Sequence, residues 1–140
     1  MKFNRKATAV WKGSGKDGKG TLSTPSGVLD HTQYSFSTRF EDGKGTNPEE
    51  LVGAAHAGCF AMQLSFLLNE ANYTAETLDV TAIVHFEDGE IKSSELNMKA
   101  VVPEVDESEF NKIAEKAKEI CPISKLLNAE ITLDISFSNS

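Results

Sequence analysis

Two cysteines, Cys59 and Cys121, are the side chains with the greatest chemical range in the sequence. A thiol in a reducing compartment either packs as a small apolar group or reacts as a thiolate, and the thiolate needs positive charge or free N–H groups nearby. Cys121 precedes Pro122 and so stands at the mouth of a new helix, where unsatisfied N–H groups favour the anion. Cys121-Pro122-Ile123-Ser124 also has the form of a C-x-x-S redox pattern, although a thioredoxin-like setting would place it in a βαβ unit and here it follows a helix. Cys59 falls in mid-helix, where apolar walls alone would raise its pKa and leave it inert, so a reactive Cys59 requires a cation. Arg39, in Thr38-Arg39-Phe40, is the candidate donor. Each residue also has an ordinary reading: Cys121 as a buried side chain at a helix junction, Arg39 as a surface arginine, and Glu49 and Glu50 as first-turn carboxylates.

Other chemistries find less support. His56 and Cys59 are spaced i, i+3 on one helix face, but two ligands do not make a metal site and neither His31 nor His85 adds a cluster. A packed histidine is the ordinary reading of His56. No serine-histidine-acid pattern is present, and the glycine-rich stretch Gly13 to Gly20 leads into a strand rather than cradling phosphate at a helix start. A net charge of −7 repels phosphate backbones and anionic lipid, and the lysines between Lys12 and Lys19 are separated by glycines without interleaved aromatics. The N-terminal MKFNRKATAVWKG lacks a signal-type apolar core, and no stretch reaches about eighteen uninterrupted apolar residues. A cytoplasmic location without nucleic-acid or membrane partners is therefore expected.

The elements that must position these residues can be read from the pattern. Phe3–Trp11, Gly20–Ser23 and Tyr34–Phe40 suggest short strands of a small antiparallel sheet, with a turn at Thr24-Pro25-Ser26-Gly27. Thr46 and Asn47 cap a helix that opens on Pro48, with Glu49 and Glu50 in its first turn. From Leu51 to Ala71 nearly every face is apolar or small, which predicts a central helix wrapped by protein on all sides. Its run Gly53-Ala54-Ala55-His56-Ala57-Gly58 would admit another backbone closely. Leu78 to Phe86 and Leu96 to Val102 alternate around a turn at Asp88-Gly89, predicting a hairpin. Asp106 and Glu109 open a helix that ends at Cys121-Pro122; a short helix to Leu127 and a strand Ile131–Phe137 follow. The order gives one α+β domain over residues 1–140, and a chain of this length buries roughly 68–70% of its unfolded surface without needing a disulfide or metal.

Taken together, Gly20-Thr21-Leu22-Ser23 to Gly27-Val28-Leu29, Thr38-Arg39-Phe40-Glu41, the run from Gly45 through Asn47-Pro48-Glu49-Glu50 to Gly58-Cys59-Phe60, and Cys121-Pro122-Ile123-Ser124 closely resemble the OsmC family of osmotically inducible peroxidases. Asn-Pro-Glu followed ten residues after its glutamate by Cys-Phe, with a distant Cys-Pro, is a specific combination. His56 resembles OsmC proper more than the sibling organic hydroperoxide resistance branch, which tends to carry an aromatic there.

The resemblance implies antiparallel sheets around a long central helix, an intertwined homodimer, and active sites at the subunit interface. It implies that Cys59 is the peroxidatic cysteine, Cys121 the resolving cysteine, Arg39 the thiolate's support and Glu49 its carboxylate partner, with Glu50 the weaker candidate. The substrate class implied is organic hydroperoxides ahead of hydrogen peroxide, in oxidative or osmotic stress defence. No cofactor is implied; an external dithiol, a dihydrolipoyl group by family analogy, would regenerate the thiols. Phe36, Phe60 and Met62 could line an apolar pocket or belong to the core, and the short Glu87 to Glu90 turn bears on pocket access. Helix geometry adds a constraint of its own: ten residues separate Glu49 from Cys59 by roughly 15 Å along one axis, so a shared site would take its glutamate from a second, antiparallel copy. The competing readings are a non-catalytic ligand-binding or structural dimer with both cysteines as core, and a metal-binding module using His56 and Cys59.

Overall fold

The computed structural model describes residues 1–140, and the chain divides into two compact units, Met1–Leu51 and Val52–Ser140. The first holds an antiparallel three-stranded sheet, β1 (Thr8–Lys12), β2 (Lys19–Ser23) and β3 (Thr32–Tyr34), in that spatial order. Trp11 and Tyr34 flank Gly20 across this sheet with ring centroids 5.5 Å apart. A Cβ on Gly20 would come within 2.4 Å of the Tyr34 ring and 2.6 Å of the Trp11 ring, so only glycine leaves room for both.

The third strand stops earlier than its pattern suggests. Ser35 ends it by capping α1 (Phe36–Phe40): the Ser35 side chain accepts from the Thr38 N–H, and the Ser35 N–H donates to Thr38 Oγ1. This reciprocal cap turns the expected Tyr34–Phe40 strand into strand plus helix, and it places Arg39 in a helical last turn.

Helix α2 (Pro48–Glu70) begins where Asn47 and Pro48 predict, with Asn47 Oδ1 accepting from the Glu50 N–H at 2.7 Å. Gly53, His56, Phe60, Leu64 and Leu68 form its buried stripe. Ala54, Ala55, Gly58, Met62 and Phe66 form an exposed one, with Met62 63% and Phe66 59% accessible, so one chain covers only half of the helix expected to be wrapped on all sides. By length and composition alone the helix could cross a membrane, a test that core helices also pass.

In the second unit β4 (Thr77–Glu87) and β5 (Glu90–Val101) form the predicted hairpin, turning at Asp88 and Gly89, whose φ of 52° and 80° give the paired left-handed conformation such turns need. Helix α3 (Glu107–Ile120) and α4 (Pro122–Leu126) then lead to β6 (Glu130–Ser138). β6 joins β5 in parallel, so this sheet is mixed rather than wholly antiparallel, and α3 and α4 are the crossover between its parallel strands. The core packs Phe60, Leu64 and Leu68 with Leu96, Met98, Ala100, Phe110, Ala114 and Cys121. Phe110 stacks on Phe137 at 4.7 Å. Asp106 caps α3 through the Glu109 N–H, while the Glu109 carboxylate accepts from the Tyr73 hydroxyl.

Gly20→Ala is expected to lower stability by about 1–3 kcal/mol through overpacking against Trp11 and Tyr34, read by urea denaturation followed through the single tryptophan.

Candidate active site

Cys59 and Cys121, far apart in sequence, meet in the second unit: the Cys59 thiol engages both the Cys121 side chain and the backbone N–H of Ile123. Both are free thiols, Cys59 half-buried and Cys121 fully buried. The meeting follows from one residue. Pro122 ends α3 and opens α4, so Cys121 serves as the last cap of one helix, donating to Ala117 O at 2.9 Å, and the first of the next, accepting from the Lys125 N–H at 3.0 Å. The free N–H of α4's first turn, expected from the sequence to favour Cys121, is directed instead at Cys59.

Burial is the largest influence on Cys59 and pushes its thiol above the ordinary range; the Ile123 N–H opposes this, while hydrogen bonding and charge at Cys121 add to the rise. These surroundings disfavour the Cys59 thiolate.

In the first unit Arg39 Nε donates to Glu49 Oε1 at 2.8 Å, and the Arg39 guanidinium lies 5.0 Å from the Phe40 ring centroid. Of the two acids at the helix start, Glu49 pairs with Arg39, whereas Glu50 accepts from Thr46 Oγ1 at 2.7 Å. Glu49 Oε2 is buried and has no hydrogen-bond partner, an arrangement that costs about 1–3 kcal/mol when left uncompensated.

His56 is fully buried and uses both ring nitrogens: Nδ1 lies 2.6 Å from Ser94 Oγ and Nε2 lies 2.8 Å from Ser124 Oγ. With both nitrogens occupied, His56 has no lone pair to share with Cys59 in a metal site, and the ordinary reading of a packed histidine holds. Phe60, suggested as a pocket residue, is wholly core; Met62 lies on the exposed stripe of α2, and Phe36 packs against Phe40 at 5.0 Å. Ser94 lies outside the motifs quoted from the sequence. Its signal was parity, because Ser94 shares the core-facing positions of β5 with Leu96, Met98 and Ala100, where a polar side chain requires a partner.

Residues 41–136 match the family of OsmC-like proteins. The chain belongs to the OsmC family. It is 50% identical over 138 residues to the Peroxiredoxin OsmC of Escherichia coli K12, covering 96% of each chain. It is 31% identical over 99 residues to an organic hydroperoxide resistance protein-like protein of Staphylococcus aureus, covering 68% of this OsmC-family chain and 71% of that one. The crystal structure of an organic hydroperoxide resistance protein from Elizabethkingia anophelis superposes with a TM-score of 0.67 at 26% identity over the whole of both chains.

Burial lowers the pKa of His56 below its ordinary 6.5, so the folded chain binds fewer protons there than the unfolded chain. The stability this provides is complete above the unfolded value and declines as pH falls through 6.5 toward the lower folded value. His56→Gln should flatten the fall in melting temperature between about pH 7 and pH 5 relative to the unsubstituted protein, measured by thermal unfolding across that range.

Proposed function

We propose that this chain is a two-cysteine thiol peroxidase that reduces organic hydroperoxides, and hydrogen peroxide more weakly, in oxidative and osmotic stress defence. The observation that carries the reading is the meeting of Cys59 with Cys121 across separate elements, in a chain half identical to a peroxiredoxin along nearly its whole length. That near-complete coverage also supports treating residues 1–140 as one working domain.

In the proposed reaction the Cys59 thiolate attacks one peroxide oxygen, the O–O bond breaks, and an alkoxide leaves and takes a proton, with Cys59 becoming a sulfenic acid. Cys121 attacks the sulfenic sulfur; its proton and the sulfenic hydroxyl leave as water, and the Cys59–Cys121 disulfide forms. An external dithiol, a dihydrolipoyl group on this reading, restores both thiols by exchange. The chemistry uses no bound cofactor or metal.

Activation of Cys59 falls to Arg39, oriented by Glu49. The pairing of Arg39 with Glu49 supports a second copy, because Glu49 stands in the first turn of α2, ten residues or about 15 Å of helix before Cys59. On this reading the pair of one protomer serves the Cys59 of its partner in a homodimer. The exposed stripe of Ala55, Gly58, Met62 and Phe66 suits the antiparallel contact this requires. We place the protein in the cytoplasm, where dithiol reductants operate.

Consumption of an alkyl hydroperoxide by the reduced protein with a lipoyl dithiol is expected to disappear in Cys59→Ser, whereas Cys121→Ser should accumulate a trappable sulfenic acid. Equal rates in all three proteins would instead favour a binding or structural dimer. Arg39→Ala should raise the apparent pKa of Cys59 and slow peroxide attack about 10–100-fold, read by the pH profile of sulfenic acid formation. Phe66→Glu should convert the dimer to monomer in sedimentation velocity and remove turnover with it.

A further inference from the structure

His56 contributes no atom to the reaction just described, yet its hydrogen-bonding is the most fully specified of any side chain in the core. It is 0% exposed, and a neutral imidazole at that depth needs partners for both nitrogens. Ser94 on β5 and Ser124 on α4 supply them at 2.6 and 2.8 Å, so the ring bridges the sheet and the short helix.

Helix α4 is five residues long and none of them is fully buried; Ile123 packs partly buried against the core, and Pro122, Lys125 and Leu126 are exposed. Its first turn nonetheless bears what acts on Cys59, since Cys121 precedes it and the Ile123 N–H belongs to it. His56 and Cys59 lie one helical turn apart on α2, so the 121–124 segment is attached to α2 at two neighbouring points, through sulfur and Ile123 at Cys59 and through Ser124 at His56.

We propose that His56 is a positioning residue for thiol exchange: held by Ser94, it pins Ser124 and thereby keeps Cys121 and the Ile123 N–H against Cys59. The proposal deepens the two-cysteine reading and rests on it. Disulfide closure requires the Cys121 sulfur to approach along the bond being broken at Cys59, and an unpinned turn lowers the effective concentration of Cys121 there. Burial keeps the imidazole neutral, so the tie does not rely on charge.

The test uses the reduced full-length protein and an aromatic disulfide, dithiobis-nitrobenzoate. Attack by Cys59 releases one thionitrobenzoate and leaves a mixed disulfide; attack by Cys121 on that mixed disulfide closes the protein disulfide and releases the second. The second, intramolecular phase reads positioning alone. Ser124→Ala, which leaves the imidazole in place, and His56→Asn, which can reach Ser94 but not Ser124, are each expected to slow the second phase at least about tenfold. His56→Gln, whose amide reaches the position of Nε2, should remain within about threefold of the native rate. Loss of a buried hydrogen bond as such would affect the Asn and Gln proteins alike, so their difference separates positioning from general destabilisation. A second phase within about twofold of native in Ser124→Ala overturns the proposal. Because the probe is a disulfide and not a peroxide, absence of peroxide turnover would remove the peroxidase reading while the second-phase rates still decide the role of His56.

Discussion

A 23-residue helix that is apolar around most of its circumference has to be covered twice, and this requirement governs the rest of the chain. Its first cover is built from the chain's own residues: Phe60, Leu64 and Leu68 pack with Leu96, Met98 and Ala100 of β5 and with Phe110 and Ala114 of α3. The opposite stripe, running through Gly58, Met62 and Phe66, is exposed. The two glycines in the helix divide along the same line. Gly53 faces β4, where a Cβ would sit 3.5 Å from Ala82 O and Val84 Cγ2, whereas Gly58 has no neighbour within 4 Å. Glycine lowers helix propensity by about 1 kcal/mol at each position, a cost that no contact within this chain offsets at Gly58.

Electrostatics in the second unit act on Cys59. Burial holds Cys59 in its protonated form, and the Ile123 N–H offsets this only in part. The local surroundings of Cys59 therefore disfavour its thiolate. In the first unit Arg39 is ion-paired with Glu49 at 2.8 Å, which limits the conformational freedom of its guanidinium.

Elements were legible in the sequence wherever period and punctuation agreed. The Asn47-Pro48 start of α2, the Asp88-Gly89 turn, the break at Cys121-Pro122 and the alternating last strand all lie where their residues place them. Two features depended on information that a local pattern does not contain. The Phe36–Phe40 segment reads as strand by its aromatics, but the hydrogen bonds between Ser35 and Thr38 outweigh that preference. The direction of β6 is not encoded in its alternation, which is the same for parallel and antiparallel pairing. At the site, the two cysteines stand out by residue type, whereas Glu49 is separated from Glu50 only by the family resemblance; the structure pairs Glu49 with Arg39 and Glu50 with Thr46. The link from His56 through Ser124 to the cysteine turn could not be foreseen, because it joins residues 68 positions apart through a bond that neither local context implies.

The parallel pairing of β5 with β6 also orders events during folding. Antiparallel neighbours can zip from a tight turn, but Ser93 pairs with Glu130 only after the whole intervening crossover has been spanned, and such long-range closure is slow. Cys121 lies inside that crossover. The two sulfurs therefore come together as the sheet is completed, so their proximity reports that the unit has folded.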